Sequence, residues 1–113
     1  PMSDQTEPVI DCSRLKRLDQ QGKLELLEPL HGWSINADGK LCRTFVLQNF
    51  AESLALANLV GAVAEEIGHH PDLLVRWGSL SVEIFTHSLS HENNAALTEA
   101  DFFLAARINE LRA

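Results

Sequence analysis

The stretch 50–67, FAESLALANLVGAVAEEI, constrains this chain more than any other. Leu56, Val60, Val63 and Ile67 recur at helical spacing and form one apolar stripe. Phe50, Leu54, Ala57, Gly61 and Ala64 form a second stripe beside it, and Ala51, Ala55 and Ala62 add small residues on another side. A helix this apolar has too little polar face to lie half in water. It is predicted to pack on a sheet and against something else. The helix of a partner subunit is the obvious candidate, because small residues let backbones approach closely. Gly68 stops the helix.

The elements around it follow from local signals. Asp19 is placed to cap a short helix over 20–28, which Pro29 closes and Gly22 weakens. Trp33 to Ile35, the turn Asn36-Ala37-Asp38-Gly39, and Leu41 to Leu47 read as a hairpin, with Asp-Gly supplying the positive φ angles of a tight turn. Trp33 is assigned to the core. After the main helix, Leu73 to Trp77 predicts a short strand broken at Gly78. Leu80, Val82 and Ile84 alternate with Ser81 and Glu83, the period of a half-buried strand. Phe85 is the one large apolar residue on its polar side. Residues 88–96 read as a loop. A last helix starts at Thr98, where Thr98 with Asp101 resembles a capping box and Leu97 with Phe102 a hydrophobic staple. This order predicts an α+β domain: a four-stranded antiparallel sheet with three helices packed on one face.

With 113 residues, the chain fits a single domain, assigned to 13–113, preceded by a flexible arm over 1–12. The polar, acidic start from Pro1 to Val9 does not read as a signal peptide. No apolar run approaches the roughly 18 residues of a membrane span. A net charge of −7 without a basic block argues against nucleic acid and against an anionic membrane as partner. Cys12 and Cys42 show no paired spacing, so a reducing, cytoplasmic setting is the simpler reading.

Three of the five histidines fall at element ends, where side chains can reach a shared cleft. His69 and His70 leave the main helix, and Pro71 biases His70 out of helical geometry. His87 ends the last strand, flanked by Thr86 and Ser88. Histidine changes charge near neutrality, so such a cluster can both donate and accept protons. His31 and His91 lack supporting context and are assigned structural roles. A zinc site is disfavoured, because adjacent histidines diverge and the spacing matches no zinc motif. Glu65 lies four residues before His69; it either orients that histidine or is a solvated helix residue. Asp101 either serves the site or stabilises its own helix N-terminus. Trp77 either stacks on a flat ligand or packs.

The run Glu65-Glu66-Ile67-Gly68-His69-His70-Pro71 resembles the central motif of the pterin-4a-carbinolamine dehydratases. In that family a charged residue precedes His-His-Pro, and an aromatic residue, a further histidine and an aspartate follow. The matching positions here are Glu65, His69, His70, Pro71, Trp77, His87 and Asp101. The resemblance extends over roughly residues 19 to 111 and includes Gly32-Trp33, Arg43 with Phe45, Asn49-Phe50, Thr86-His87 and Leu97-Thr98. It implies an α+β fold, a homodimer or homotetramer, and dehydration of a 4a-hydroxytetrahydropterin to the quinonoid dihydropterin. That reaction lies downstream of aromatic amino acid hydroxylation and uses no metal or organic cofactor. His69 and His87 would do the acid–base work, with His70 holding the pterin. Glu65, Trp77, Thr86, Ser88 and Asp101 would bind or support. Two departures stand out: Gly68 occupies a position that is commonly acidic, and the loop after His87 is longer than in compact members, with Ala96 replacing a usual glycine. The alternatives are a non-catalytic assembly or coactivator protein on the same fold, a metal-binding domain, and an enzyme acting on another pterin.

Overall fold

Hydrophobic alternation builds the sheet. In a computed structural model that describes residues 14–91 and 93–112, four strands pair antiparallel: β1 (Ser34–Ile35), β2 (Leu41–Val46), β3 (Asp72–Arg76) and β4 (Ser79–Ile84). Their spatial order is β1-β2-β4-β3. The register sets Leu41 beside Ile84, and Leu80 between Phe45 and Val75, so one face is apolar. The other face carries Cys42, Glu83 and Asp72, then Thr44, Ser81 and Leu74. The expected arm and Cys12 lie outside the described residues.

Three helices complete the fold: α1 (Gln20–Leu27), α2 (Phe50–Ile67) and α3 (Glu99–Glu110). α2 packs on β3, β4 and α3, and α1 reaches α3. The first predicted stripe, Leu56, Val60, Val63 and Ile67, is buried throughout. Each such side chain contributes about 1.5–3 kcal/mol on leaving water. The second stripe runs outward: Ala57 and Ala64 are buried, but Phe50 and Leu54 are exposed, as is Leu59. α2 thus shows solvent apolar side chains on two flanks that the described residues do not cover, Phe50 and Leu54 on one and Leu59 on the other.

The caps at Asp19 and Thr98 are the predicted ones, and Asn49 supplies a third. Asp19 Oδ1 accepts from the Gly22 amide at 2.8 Å. Asn49 Oδ1 accepts from Glu52 N at 2.9 Å at the head of α2. Trp33 is in the core, and its indole N–H donates to Asn109 Oδ1 at 2.7 Å, where Arg43 also donates.

Two expectations change in detail. β3 begins and ends one residue earlier than predicted, so Trp77 belongs to the turn rather than the strand. The β1–β2 turn is not a two-residue Asp-Gly hairpin. Asn36 closes a wider turn with its carboxamide, accepting from the amides of Asp38 and Lys40 at 3.0 Å each. Only Gly39 there takes positive φ, at 87°.

Candidate active site

The site is built where α2 ends and β4 runs out. Gly68 adopts a left-handed conformation, φ 76°, and its amide bonds to Ala64 O at 2.9 Å. That reversal swings the next two residues off the helix, each to a different side. His69 turns inward and is 5% exposed. Its Nε2 lies 2.6 Å from Asp101 Oδ1. His70 stays largely exposed, with its Nε2 at 2.5 Å from Glu65 Oε2. Glu65 therefore orients His70 and not His69. The expected four-residue helical pairing fails because Gly68 leaves the helix before His69.

Asp101 is fully buried, and its carboxylate is completely occupied. While Oδ1 meets His69, Oδ2 accepts from the Thr98 amide and from the Thr86 hydroxyl, each at 2.8 Å. Thr86 Oγ1 also lies 2.9 Å from Thr98 Oγ1. Burying a carboxylate costs several kcal/mol unless donors surround it, and here the His69 imidazole, the Thr98 amide and the hydroxyls of Thr86 and Thr98 do so. Asp101 thus anchors the start of α3 and, through the same carboxylate, fixes the imidazole of His69. The two roles that look like alternatives in the sequence belong to one group.

The alternation that buries Ile84 carries past the strand end. Thr86 points inward, while Phe85 and His87 share the opposite side and pack together, ring centroids 4.1 Å apart and tilted by 39°. His87 itself starts a short 3₁₀ turn, His87–Leu89, and is exposed.

Gly68, His69, His70, Thr86, His87 and Ser88 line one cleft of about 210 Å³. Two histidines from the end of α2 and one from the end of β4 therefore face a common space. Glu65 and Asp101 stand behind His70 and His69 as hydrogen-bond partners. Trp77 is elsewhere. It follows the last residue of β3, whereas His70 precedes the strand, so the strand's roughly 17 Å length lies between them. Trp77 is 70% exposed and does not line the cleft. Phe85, packed against His87, is the neighbour that sequence reasoning left without a role; its break in the strand alternation was the signal. Among the described residues, no three His, Cys, Asp or Glu side chains form a set able to hold a metal ion. No described helix is long and apolar enough to cross a membrane.

A sequence profile described as pterin 4 alpha carbinolamine dehydratase matches residues 16–111. The chain is 37% identical over 113 residues to pterin-4-alpha-carbinolamine dehydratase 2, mitochondrial, of Arabidopsis thaliana; the match spans 95% of this chain but only 58% of the plant protein. It is 40% identical to a putative pterin-4-alpha-carbinolamine dehydratase of Chlorobium luteolum, covering 90% of this chain and 89% of the relative. Among solved structures, a transcriptional coactivator/pterin dehydratase from Brucella melitensis superposes with a TM-score of 0.74 at 27% identity, over 87% of this chain and all of that one. A pterin dehydratase-like RuBisCO assembly factor of the alpha-carboxysome shares the fold, with a TM-score of 0.55 at 23% identity, over 72% of this chain and 89% of that one.

Proposed function

The chain belongs to the pterin 4 alpha carbinolamine dehydratase family, and we propose that it dehydrates a 4a-hydroxytetrahydropterin using the imidazoles of its histidine cleft. One observation carries the reading: His69, His70 and His87, distant along the chain, line one cleft with a buried carboxylate behind His69. In this reaction the C4a–O bond breaks and the hydroxyl leaves as water after taking a proton. The adjacent ring nitrogen loses its proton, and its electron pair forms the C=N bond of the quinonoid product. One acid and one base are sufficient.

His69 and His87 divide these roles. Asp101 accepts from the Thr98 amide and the Thr86 hydroxyl; as the acceptor of His69 Nε2–H too, it leaves Nδ1 as the nitrogen to accept a proton. His69 is therefore the base. His87, exposed and held against Phe85, gives the proton to the leaving hydroxyl. His70, oriented by Glu65, binds the ring, and Ser88 lies within its reach along the cleft wall. Thr86 acts indirectly, through Asp101. Trp77 takes no part within one copy of the chain.

The exposed apolar residues Val46, Phe50, Leu54 and Leu59 support assembly into a homodimer or homotetramer. A cytoplasmic setting downstream of aromatic amino acid hydroxylation belongs to the same proposal. The retained histidine set favours catalysis over an assembly-only role. The deciding experiment follows quinonoid dihydropterin formation from an enzymatically generated 4a-carbinolamine. Purified protein is expected to accelerate it well above the spontaneous rate; no acceleration at micromolar protein would refute the proposal.

A further inference from the structure

We infer that the hydroxyls of Thr98 and Thr86 form a one-way hydrogen-bond chain that keeps Asp101 an acceptor, so that the proton His69 takes from the ring stays on the imidazole. Thr98, which reads in the sequence as a helix cap alone, is thereby a positioning residue of the site. This rests on the dehydratase reading and deepens it, from the base to the groups that govern the base.

The direction of the chain follows from its protons. A threonine hydroxyl has one proton to give and two lone pairs with which to accept. Thr86 gives its proton to Asp101 Oδ2 at 2.8 Å. Its oxygen also lies 2.9 Å from Thr98 Oγ1, a contact that needs a proton between the two, and that proton is left to Thr98. The Thr98 hydroxyl approaches Asp101 Oδ2 as well, at the longer distance of 3.4 Å. By either path it points toward the carboxylate. Both threonines are sealed from solvent, Thr86 at 1% exposure and Thr98 at 0%, so the chain does not lose its protons to bulk water. It joins the end of β4 to the head of α3, where Thr98 and Asp101 form a capping box.

The chain acts on the proton between His69 and Asp101, whose Nε2 and Oδ1 are 2.6 Å apart. Were that proton to cross to Asp101, each donor on Oδ2 would face a neutral acceptor. Hydrogen bonds to an ionised group are roughly twice as strong as neutral ones, so the Thr98 amide and the Thr86 hydroxyl oppose the transfer. Thr98 reinforces Thr86, because hydrogen bonds in a chain polarise one another. A carboxylate with fewer donors pulls harder on the imidazole's protons, and the free base becomes scarcer as pH falls. The other titratable groups near the pair are His87 beyond Thr86, His70 with Glu65 at the end of α2, and the Glu66–Arg107 ion pair between α2 and α3. None of them is altered by substitution of either threonine.

The test is the pH profile of kcat/KM in variants that keep the shape and remove the hydroxyl. Thr86→Val should lose activity chiefly at the acid end, moving the low-pH limb to higher pH by about one unit, the tenfold effect of one charge-assisted hydrogen bond. Thr98→Val, which acts through Thr86, should move it by about half as much. KM should change by no more than about twofold in either. Thr86→Ser and Thr98→Ser, which keep the hydroxyl, should restore the wild-type limb. Valine variants that are less stable or uniformly slower, with the limb unmoved, would overturn the inference and leave Thr98 a cap. Serine variants displaced as far as the valine ones would overturn it too, by making packing the cause. Should Thr98→Val fail to fold, Thr86→Val lies outside the cap and carries the test with both serine variants. Should the wild type dehydrate nothing, the functional reading fails by itself. Nitrogen-15 NMR titration of the His69 ring in the resting protein then decides the chain on the same differences between variants.

Discussion

His69 and His87 face the same space from opposite surroundings, one buried on a carboxylate and the other open to solvent on an aromatic ring. The difference separates two mutants. His87→Ala should cut kcat by about 10²–10⁴-fold while its urea midpoint stays near wild type, since an exposed side chain costs little to remove. His69→Ala should lose activity and also about 1.5–3 kcal/mol of stability, because it withdraws a donor from the buried Asp101 carboxylate. Equilibrium urea unfolding of both variants reads this directly. His70→Ala should raise KM more than it lowers kcat. Much of this was legible in the sequence: the histidines at element ends, Pro71, and Asp101 in a capping position. What was not legible was which carboxylate meets which imidazole. That depends on a single φ angle at Gly68, and residue spacing read along an ideal helix pairs Glu65 with the wrong histidine.

At the scale of elements, the site exists because α2 is stopped by Gly68 in a left-handed turn. An alanine there meets the ordinary penalty of that conformation, about 1–2 kcal/mol. Gly68→Ala should therefore lower stability by about that amount and reduce activity beyond what the stability loss explains, since it displaces both His69 and His70. Gly68→Asn should restore most of the loss, because asparagine tolerates the left-handed region. Thermal melts with parallel rate measurements test the pair. The strands were readable from their alternation, and Asp19, Thr98 and Asp101 from capping chemistry. The β1–β2 turn was misread because the Asn36 carboxamide, and not the Asp-Gly dipeptide, organises it. Trp77 was tied to the site by motif spacing, but a whole strand runs between it and His70.

At the scale of the whole molecule, the sheet's apolar face is covered by helices, whereas α2 presents Phe50 and Leu54 to solvent on one flank and Leu59, which lines a cleft with Val46, on the other. The two apolar stripes of the sequence already implied a helix covered on both sides. The described residues bury the first and leave the second partly exposed. Leu59→Asp should shift the protein to a smaller species in light scattering coupled to size exclusion while leaving its far-ultraviolet circular dichroism unchanged. A wild type that is monomeric at tens of micromolar would remove the oligomer from the account.

All of these rest on one flat heterocycle lying between the imidazoles of His69 and His87. A crystal structure with a bound dihydropterin analogue measures it. The ring should lie in the cleft with one of its nitrogens within hydrogen-bonding reach of His69 Nδ1 and its 4a edge toward His87. Density for the ligand anywhere else on the molecule, with this cleft holding only water, would contradict the account.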